Sequence, residues 1–321
     1  MVKKPAMIKT KKRGLRKKSS QKTNYKKAVA GILLLALLVI IAALFAHHLI
    51  PCGQIEQPVK KASIHKKTIS KIPVFEIYPK EDKPVRKPVL KPKPLLPDQL
   101  PRVSIIIDDI GYERVIADKF LSLDAVLTFS VFPHSPFQKA FVRKAVAKGC
   151  EIMLHLPMEP NGFPEINPGP GALLTSMSPD ELICQLNENL DAIPLIKGVN
   201  NHMGSKMTSV STQMYQIFSV LKKRGLFFID SYTTPKTLCK PSARLLQIPF
   251  AQRDVFLDHI QEPDFIRKQI KELIHIAISH GEAIGIAHPH SVTYEILREE
   301  LPELQKKVRL VSASSLVHII D

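Results

Sequence analysis

Short apolar runs recur at intervals from residue 103 to the end of the chain. Runs of this length that are apolar on both faces are typical of strands buried in a parallel sheet. The eight strands predicted in this way are residues 103–107, 125–131, 151–156, 198–200, 226–229, 255–257, 283–287 and 308–311.

The segments between these strands carry helical periodicity and helix-end signals. Helices are predicted over 137–148, 214–224 and 264–279, with C-terminal caps at the glycines 149, 225 and 281. Ser178 is the predicted N-cap of a further helix, because Pro179 suits its first turn and Glu181 completes a capping box. Strands that alternate with helices predict an α/β fold with a parallel sheet. Seven or eight such units, many of whose strands end in polar residues, predict closure into a deformed (β/α)7-8 barrel.

Residues 28–46 are a different kind of apolar segment, with nineteen consecutive residues that carry no charge. This length is about that of a bilayer hydrocarbon core, so we predict a single transmembrane helix over residues 28–50. The basic residues before it predict a cytoplasmic N-terminus in the inner (cytoplasmic) membrane and a periplasmic C-terminal domain. A cleaved signal peptide is the alternative, but Leu44-Phe45-Ala46 lacks the small residue expected three places before the cut.

The formal net charge of +17 is concentrated before residue 102. Residues 1–27 contain 12 Lys and Arg and no acidic residue, and residues 51–101 contain 11 Lys and Arg against 5 acidic residues. Residues 102–321 are nearly neutral, with 23 basic and 24 acidic residues. A nucleic-acid-binding protein would carry its basic patch on the folded domain, so we expect no nucleic-acid partner.

Residues 51–101 hold ten prolines among lysines. Such a stretch cannot bury enough apolar surface to fold, and proline keeps it extended, so we predict a semi-rigid linker. The predicted organisation is a basic cytoplasmic tail (1–27), a transmembrane anchor (28–50), a Pro/Lys-rich linker (51–101) and one α/β domain (102–321).

Polar residues follow most of the predicted strands. In a barrel all of these strand ends share one rim, where active sites are built. Carboxylates and neutral imidazoles without thiolates are a ligand set for a divalent metal, so we predict a metal site there. The candidates along the chain are Asp108, Asp109, His155, Asn200, Asn201, His202, Asp230, Ser231, Asp258, His259, His288 and His290.

Several of these residues have a plainer alternative. The adjacent carboxylates of Asp108 and Asp109 repel each other unless their tasks are divided, for example between a metal and a proton. Asp109 could instead cap the next helix, and His155 could be a structural hydrogen-bonding residue. Asn200 and Asn201 could close turns or orient ligands from behind.

Five motifs follow one another in residues 102–321. They are Ile106-Ile107-Asp108-Asp109-Ile110-Gly111, His155-Leu156-Pro157-Met158-Glu159, Asn200-Asn201-His202-Met203-Gly204-Ser205, Asp230-Ser231 and Ala287-His288-Pro289. With these motifs in this order, the segment resembles the divergent polysaccharide deacetylase family. The resemblance implies a deformed barrel and descent from metal-dependent carbohydrate esterases that remove acetyl groups from amino-sugar polymers.

The resemblance also implies roles for individual residues. Asp109, His155 and His202 would hold a divalent metal, with zinc expected, Asp108 would be the catalytic base and His288 the acid. The family's better-known members place two histidines four residues apart after the third strand, whereas this chain has Glu159 at that spacing from His155.

Two departures from the usual pattern therefore leave alternatives open. Either His202 supplies the missing ligand or Glu159 coordinates instead. The usual arginine-proline-tyrosine motif is absent as well, and Arg253 is a candidate for comparable orienting work or for an ordinary salt bridge. Asn201 and Asp230 are candidates for supporting positions behind the ligands.

Two functions from different classes follow. The first is a metal-dependent hydrolase that removes acetyl groups from an envelope polysaccharide or amino-sugar polymer. The second is a non-catalytic, membrane-anchored envelope binding or scaffold protein that retains the deacetylase fold. Another metal-assisted hydrolase on the same barrel, such as a phosphoesterase, also fits the ligand types.

Overall fold

The computed structural model describes residues 33–34, 36–38 and 100–321. Residues 100–321 form an α/β domain in which strands and helices alternate. The strands are β1 (Arg102–Ile110), β2 (Thr128–Val131), β3 (Glu151–Met158), β4 (Gly198–Met203), β5 (Phe227–Asp230), β6 (Phe250–Gln252), β7 (Val255–Phe256), β8 (Glu282–Ala287) and β9 (Arg309–Leu310). The helices are α1 (Arg114–Leu121), α2 (Gln138–Ala147), α3 (Pro179–Ala192), α4 (Ser211–Lys223), α5 (Cys239–Leu246), α6 (Pro263–His280) and α7 (Ser291–Lys307), with short 3-10 turns at Met207–Ser209 and Ala313–Leu316.

The strands form one sheet in the order β6-β5-β4-β3-β2-β1-β8-β7, and β9 adds to β1. The ladders that join them are parallel, as predicted. Each of the eight predicted strand positions lies on an observed strand, and β6 is an additional strand that the apolar pattern did not reveal. The prediction of a parallel α/β sheet is therefore confirmed.

The sheet is strongly curled, because its two edge strands, β6 and β7, are separated in the chain by only two residues, Arg253 and Asp254. The backbone N–H of Arg253 donates to Asp230 O at 3.0 Å, which extends the β5 side of the sheet. The backbone N–H of Asp254 donates to Ile284 O at 2.9 Å, which lies on β8. The observed fold is thus a curled, half-barrel form of the predicted barrel, with β6 and β7 as its edge strands.

The two faces of the curled sheet are packed differently. The outer face packs against the helices in the main hydrophobic core, which includes Ile105 and Ile107 of β1. The concave inner face holds a smaller cluster, which includes Ile106 of β1 and Met153 of β3. Successive strand residues point to opposite faces. A residue two or four positions beyond one of these residues in a regular strand therefore lies on the same face.

The predicted helix ends are confirmed where the structure describes them. Ser178 and Glu181 form the capping box of α3, and Gly281 ends α6 with φ of 85°. Gly149 and Gly225 follow the last residues of α2 and α4 with positive φ, a conformation that glycine adopts without steric cost. Helices α1, α5 and α7 were not predicted, and α7 contains Pro302 within its span.

The predicted transmembrane helix and the Pro/Lys-rich linker lie almost entirely outside the described residues. Residues 33–34 and 36–38 are helical, and their leucine side chains are exposed. Within the stretches of chain that the structure describes, no helix combines the length and the apolar composition of a membrane span.

Candidate active site

The rim formed by the C-terminal ends of the strands brings most of the predicted site residues together. Asp108 lies two residues beyond Ile106 on β1, so its side chain shares the inner face with that residue. His155 is related in the same way to Met153 on β3, and His288 to Ile286 at the end of β8. Asn200 and His202 on β4 are two residues apart, and both contact His155.

Asp109 reaches the same site by a local break in β1. Its strand position alone would place its side chain on the outer, helix-packed face, opposite to Asp108. The register between β1 and β2 shifts between Ile107 and Ile110, and Asp109 has a φ of 56°. Bulges of this kind re-aim side chains beside active sites, and a positive φ is uncommon for a residue other than glycine. The bulge therefore places two adjacent carboxylates in one site.

Asp109, His155 and His202 form a tight triangle of ligand atoms. Asp109 Oδ1 lies 3.0 Å from His155 Nε2 and 3.2 Å from His202 Nδ1. The two ring nitrogens are 3.1 Å apart. Ligands of one tetrahedral zinc ion, each about 2.0–2.2 Å from it, lie about 3.3–3.6 Å from one another. The three atoms are therefore spaced closely enough to contact one cation, and all three side chains are buried.

Hydrogen bonding also fits a cation at this triangle. Both carboxylate oxygens of Asp109 are buried, and within residues 100–321 they have no partner of ordinary hydrogen-bond geometry. A buried carboxylate without donors is costly unless a cation compensates its charge. One carboxylate and two imidazoles are the donors that a divalent metal such as zinc accepts. The residues present thus fit a divalent cation.

Asn200 connects this triangle to Asp108. Its Oδ1 atom lies 3.0 Å from His155 Nδ1 and also accepts the hydroxyl of Ser130. Its Nδ2 atom donates to both oxygens of Asp108, at 2.9 and 3.0 Å, and contacts Ser231 Oγ at 3.3 Å. With Nδ1–H of His155 donated to Asn200, the lone pair of Nε2 faces the triangle. This is how metal-binding histidines are commonly oriented.

The ionisation of the triangle reflects its burial and mutual contacts. Burial alone would raise the pKa of Asp109, but the neighbouring His202 and His155 outweigh it and lower that pKa. Burial lowers the pKa of His202, which favours the neutral ring that a metal requires. At His155 burial acts in the same direction, but Asp108 and Asp109 outweigh it and raise its pKa.

Asp108 has the environment of a proton acceptor. Burial raises its pKa, while His155, His288 and the Asn200 hydrogen bond oppose that change. Its Oδ2 atom lies 3.7 Å from His155 Nδ1, and the side chain lies outside the triangle. A carboxylate with a raised pKa, next to a candidate metal site but separate from its ligands, suits a general base.

His288 is paired with Asp258 behind it. Asp258 Oδ1 lies 2.9 Å from His288 Nδ1, and Asp258 Oδ2 accepts the backbone N–H of His288 at 2.7 Å and the hydroxyl of Thr293 at 2.8 Å. Burial opposes a charge on His288, but the carboxylate of Asp258 outweighs it and raises the pKa of His288 to about 9. His288 is thus held as a proton donor at neutral pH.

Arg253 supports the wall that carries His288. Its guanidinium donates to Ser231 O at 2.8 Å and to Tyr232 O at 3.2 Å, and its carbon Cζ lies 4.2 Å from the ring centre of Phe256. The ring of Phe256 also stacks on that of His288, at 5.2 Å between ring centres. Arg253 therefore joins the edge of the sheet to the ring that packs on His288.

Glu159 lies outside the triangle. Its Oε1 atom forms an ion pair with Lys206 Nζ at 2.6 Å, and its Oε2 atom accepts the backbone N–H of Thr175. Its backbone O accepts the N–H groups of Lys206 and Met207, and its own N–H donates to Leu173 O. The structure therefore gathers His202, and not Glu159, with Asp109 and His155. Glu159 instead ties the β3–α3 loop to the chain after β4.

Asn201 and Asp230 brace the strand ends beneath the site. Asn201 Nδ2 donates to Met203 O at 2.7 Å, and its Oδ1 accepts the backbone N–H of Ser231 at 2.9 Å. Asp230 accepts the N–H of Tyr232 and the hydroxyl of Thr237, both at 2.8 Å. Asp230 follows Ile229, which faces inward, so the alternation of β5 turns Asp230 away from the triangle.

The sequence analysis did not single out Ser130 or Thr293, and it did not predict the pairing of Asp258 with His288. Ser130 is a polar residue within the buried strand β2, which is a signal that the sequence offers. Asp258 was a candidate, but its pairing with His288 depends on a contact between residues 30 positions apart. Thr293 lies inside α7, and nothing in its local sequence distinguishes it from an ordinary helix residue.

Comparison with known proteins agrees with the motifs. The model of the divergent polysaccharide deacetylase family matches residues 105–317. The chain is 33% identical over 217 residues to the uncharacterized protein YibQ of Escherichia coli K12, covering 68% of this chain and 67% of YibQ. It is 30% identical over 215 residues to an uncharacterized protein of Haemophilus influenzae, covering 67% of this chain and 76% of that protein.

The fold is also similar to a solved structure. The crystal structure of the uncharacterized protein ATU2773 from Agrobacterium tumefaciens C58 superposes with a TM-score of 0.66 and 25% sequence identity. The superposition covers 71% of this chain and 93% of ATU2773. The sequence motifs, the family model and the curled parallel sheet agree, and the chain belongs to the divergent polysaccharide deacetylase family.

Proposed function

We propose that this protein is a metal-dependent hydrolase that removes acetyl groups from an amino-sugar polymer of the cell envelope. The observation that carries the proposal is the triangle of Asp109, His155 and His202, with Asp108 held beside it by Asn200. Zinc is the proposed metal, because two imidazoles and one carboxylate are a frequent zinc ligand set.

The protein's residues divide the proposed reaction between them. A divalent cation in the triangle would supply Lewis-acid polarisation of the acetyl carbonyl and activation of water. Asp108 takes a proton from the attacking water, which its raised pKa favours. His288, held protonated by Asp258, gives a proton to the departing amine. Asn200 contacts both His155 and Asp108, so it positions the ring that would hold the cation relative to the base.

The proposal is tested with full-length protein loaded with one equivalent of Zn²⁺. Acetate release from partly N-acetylated glucosamine polymers is measured beside zinc content. Asp108→Asn is expected to lower acetate release by about 10²–10⁴-fold, the usual contribution of a general base, and to retain zinc. The matched control is Asp191→Asn, which changes an exposed aspartate on α3 that pairs with Arg224. This control is expected to match wild type in both measurements.

The same experiment separates the two functional classes. Zinc bound at one equivalent, without acetate release from any N- or O-acetylated polymer, would contradict the hydrolase. It would support the envelope binding or scaffold protein instead. Protein that binds no zinc tightly would contradict the metal centre itself.

We propose further that residues 28–50 anchor the protein in the inner membrane, with the domain of residues 102–321 in the periplasm. The support is the uncharged segment 28–46, which follows 12 basic residues. Protease added to intact spheroplasts is expected to digest the C-terminal domain, while a tag fused before residue 27 stays protected. Protection of both ends would contradict this orientation.

A further inference from the structure

We propose that Asp258, His288 and His290 form a second, weaker cation site, and that a cation bound there inhibits the hydrolase. This inference rests on the proposed function, because the inhibition acts through His288. The three side chains each offer one ligand atom, and these atoms lie within 4.8 Å of one another. They form a cluster separate from Asp109, His155 and His202.

The geometry of the second cluster resembles that of the first. Asp258 Oδ1 and His288 Nδ1 are 2.9 Å apart, close to the 3.0 Å between Asp109 Oδ1 and His155 Nε2. The donors are again one carboxylate and two imidazoles, the set that suits zinc. Two donors at this spacing, with a third within reach, satisfy the minimum of three protein ligands for a zinc site that keeps an open position.

His290 has no part in the proposed reaction. It is the N-cap residue of α7, but its side chain makes no capping hydrogen bond. Its Nε2 atom lies 3.1 Å from Gln261 Nε2, and its ring centre lies 6.0 Å from that of His288. The ring is partly buried against the wall that carries the proposed acid. His290 thus offers a third ligand atom beside Asp258 and His288, although the proposed hydrolysis uses no metal ligand at this position.

The second site is expected to be weaker than the first because its carboxylate already accepts three hydrogen bonds. The donors are the backbone N–H and the ring of His288 and the hydroxyl of Thr293. A cation that contacts both Asp258 Oδ1 and His288 Nδ1 takes the place of the Nδ1 proton, which leaves to solvent. Metal ligands must lose their protons in this way, and that cost lowers the affinity.

Inhibition follows from the same exchange. A His288 ring that binds a cation through Nδ1 keeps only its Nε2 proton, and such a ring gives up that proton to the departing amine far less readily than an imidazolium does. The first equivalent of zinc would thus activate the protein and an excess would inhibit it. Loss of a general acid typically lowers the rate by about 10²-fold or more.

The test counts zinc without relying on turnover. Full-length wild-type protein is titrated with Zn²⁺ by equilibrium dialysis, and it is expected to bind one equivalent tightly and a second about tenfold or more weakly. His290→Gln should lose the second equivalent and keep the first, which also shows that the variant is folded. His275→Gln, which changes an exposed histidine on α6, is the matched control and should keep both.

Acetate release gives the second readout. In wild type and in His275→Gln, zinc added beyond one equivalent should reduce the rate, whereas His290→Gln should keep the same rate with and without the excess. The inference is overturned by a wild-type protein that binds one equivalent only, or by a second equivalent that survives in His290→Gln. A wild-type protein that binds no zinc tightly would instead contradict the proposed function. The two failures therefore give different results.

Discussion

Two clusters on the same rim each combine one aspartate with two histidines. In the first, neither buried oxygen of Asp109 has a partner of ordinary hydrogen-bond geometry among residues 100–321. The near neighbours of its Oδ1 atom are the ring nitrogens of His155 and His202, the other two candidate ligand atoms. In the second, Asp258 accepts three hydrogen bonds, one of them from the ring of His288. Similar residue types thus leave one carboxylate open to a cation and tie the other to a proton.

The difference shows that hydrogen-bond satisfaction, and not residue type, separates the two clusters. A carboxylate that has no donors needs a cation to compensate its burial. A carboxylate whose donors are already present favours a protonated neighbour, which is why Asp258 raises the pKa of His288. Four substitutions test this comparison, in order of decreasing expected effect.

The largest effect is expected for His202→Gln, which removes a nitrogen from the first cluster. Zinc affinity should fall by more than the 10–100-fold that supporting residues typically contribute, and acetate release should fall with it. Equilibrium dialysis and the acetate assay measure the two effects. The control His280→Gln changes an exposed histidine at the end of α6 and should leave both unchanged. Retained tight binding in His202→Gln would remove His202 from the ligand set.

A smaller effect is expected for Asn200→Ala, which removes the amide that bridges His155 and Asp108. Zinc affinity should fall by about 10–100-fold, because the ring of His155 loses the acceptor that fixes its orientation. The rate at saturating zinc should fall as well, because Asp108 loses two hydrogen bonds. A variant with lower affinity but an unchanged saturated rate would show that Asn200 acts on His155 alone.

The pH dependence of Asp258→Asn tests the second cluster. The pKa of His288 is raised to about 9, so its proton is present below that pH and is lost above it. Without the carboxylate the pKa should move down towards about 6.5, and the alkaline limb of the acetate-release profile should move with it. The raised pKa also stabilises the fold fully below about pH 6.5, and this stabilisation is lost as the pH rises through about 9. An unshifted alkaline limb would contradict the role of His288 as the acid.

The smallest effect is expected for Glu159→Gln, which lies outside both clusters. Zinc content should stay unchanged, because Glu159 is bound to Lys206 and Thr175 and not to the triangle. The free energy of unfolding should fall by about 1 kcal/mol with the loss of a partly exposed ion pair. Thermal unfolding measures it, with Glu165→Gln in the same loop as the control. A loss of zinc would make Glu159 a ligand after all.

Much of the site was predictable from the strand ends. Once the apolar runs are interpreted as buried parallel strands, Asp108, His155 and His288 follow strands whose ends share one rim. The pattern of short buried strands and intervening helices likewise predicts a parallel sheet, because only crossover connections join parallel neighbours. The family motifs then suggest which of these residues act together.

The sequence by itself determined the α/β class, the strand ends that carry chemistry and the separation of the neutral domain from the basic segments before it. The tertiary structure decided which of these side chains meet. In the structure His202, and not Glu159, is the third member of the triangle. A bulge directs Asp109 towards the inner face, and Asp258 pairs with His288. These outcomes depend on contacts between residues far apart in the chain and on one backbone conformation, and neither is encoded in a local pattern of polar and apolar residues.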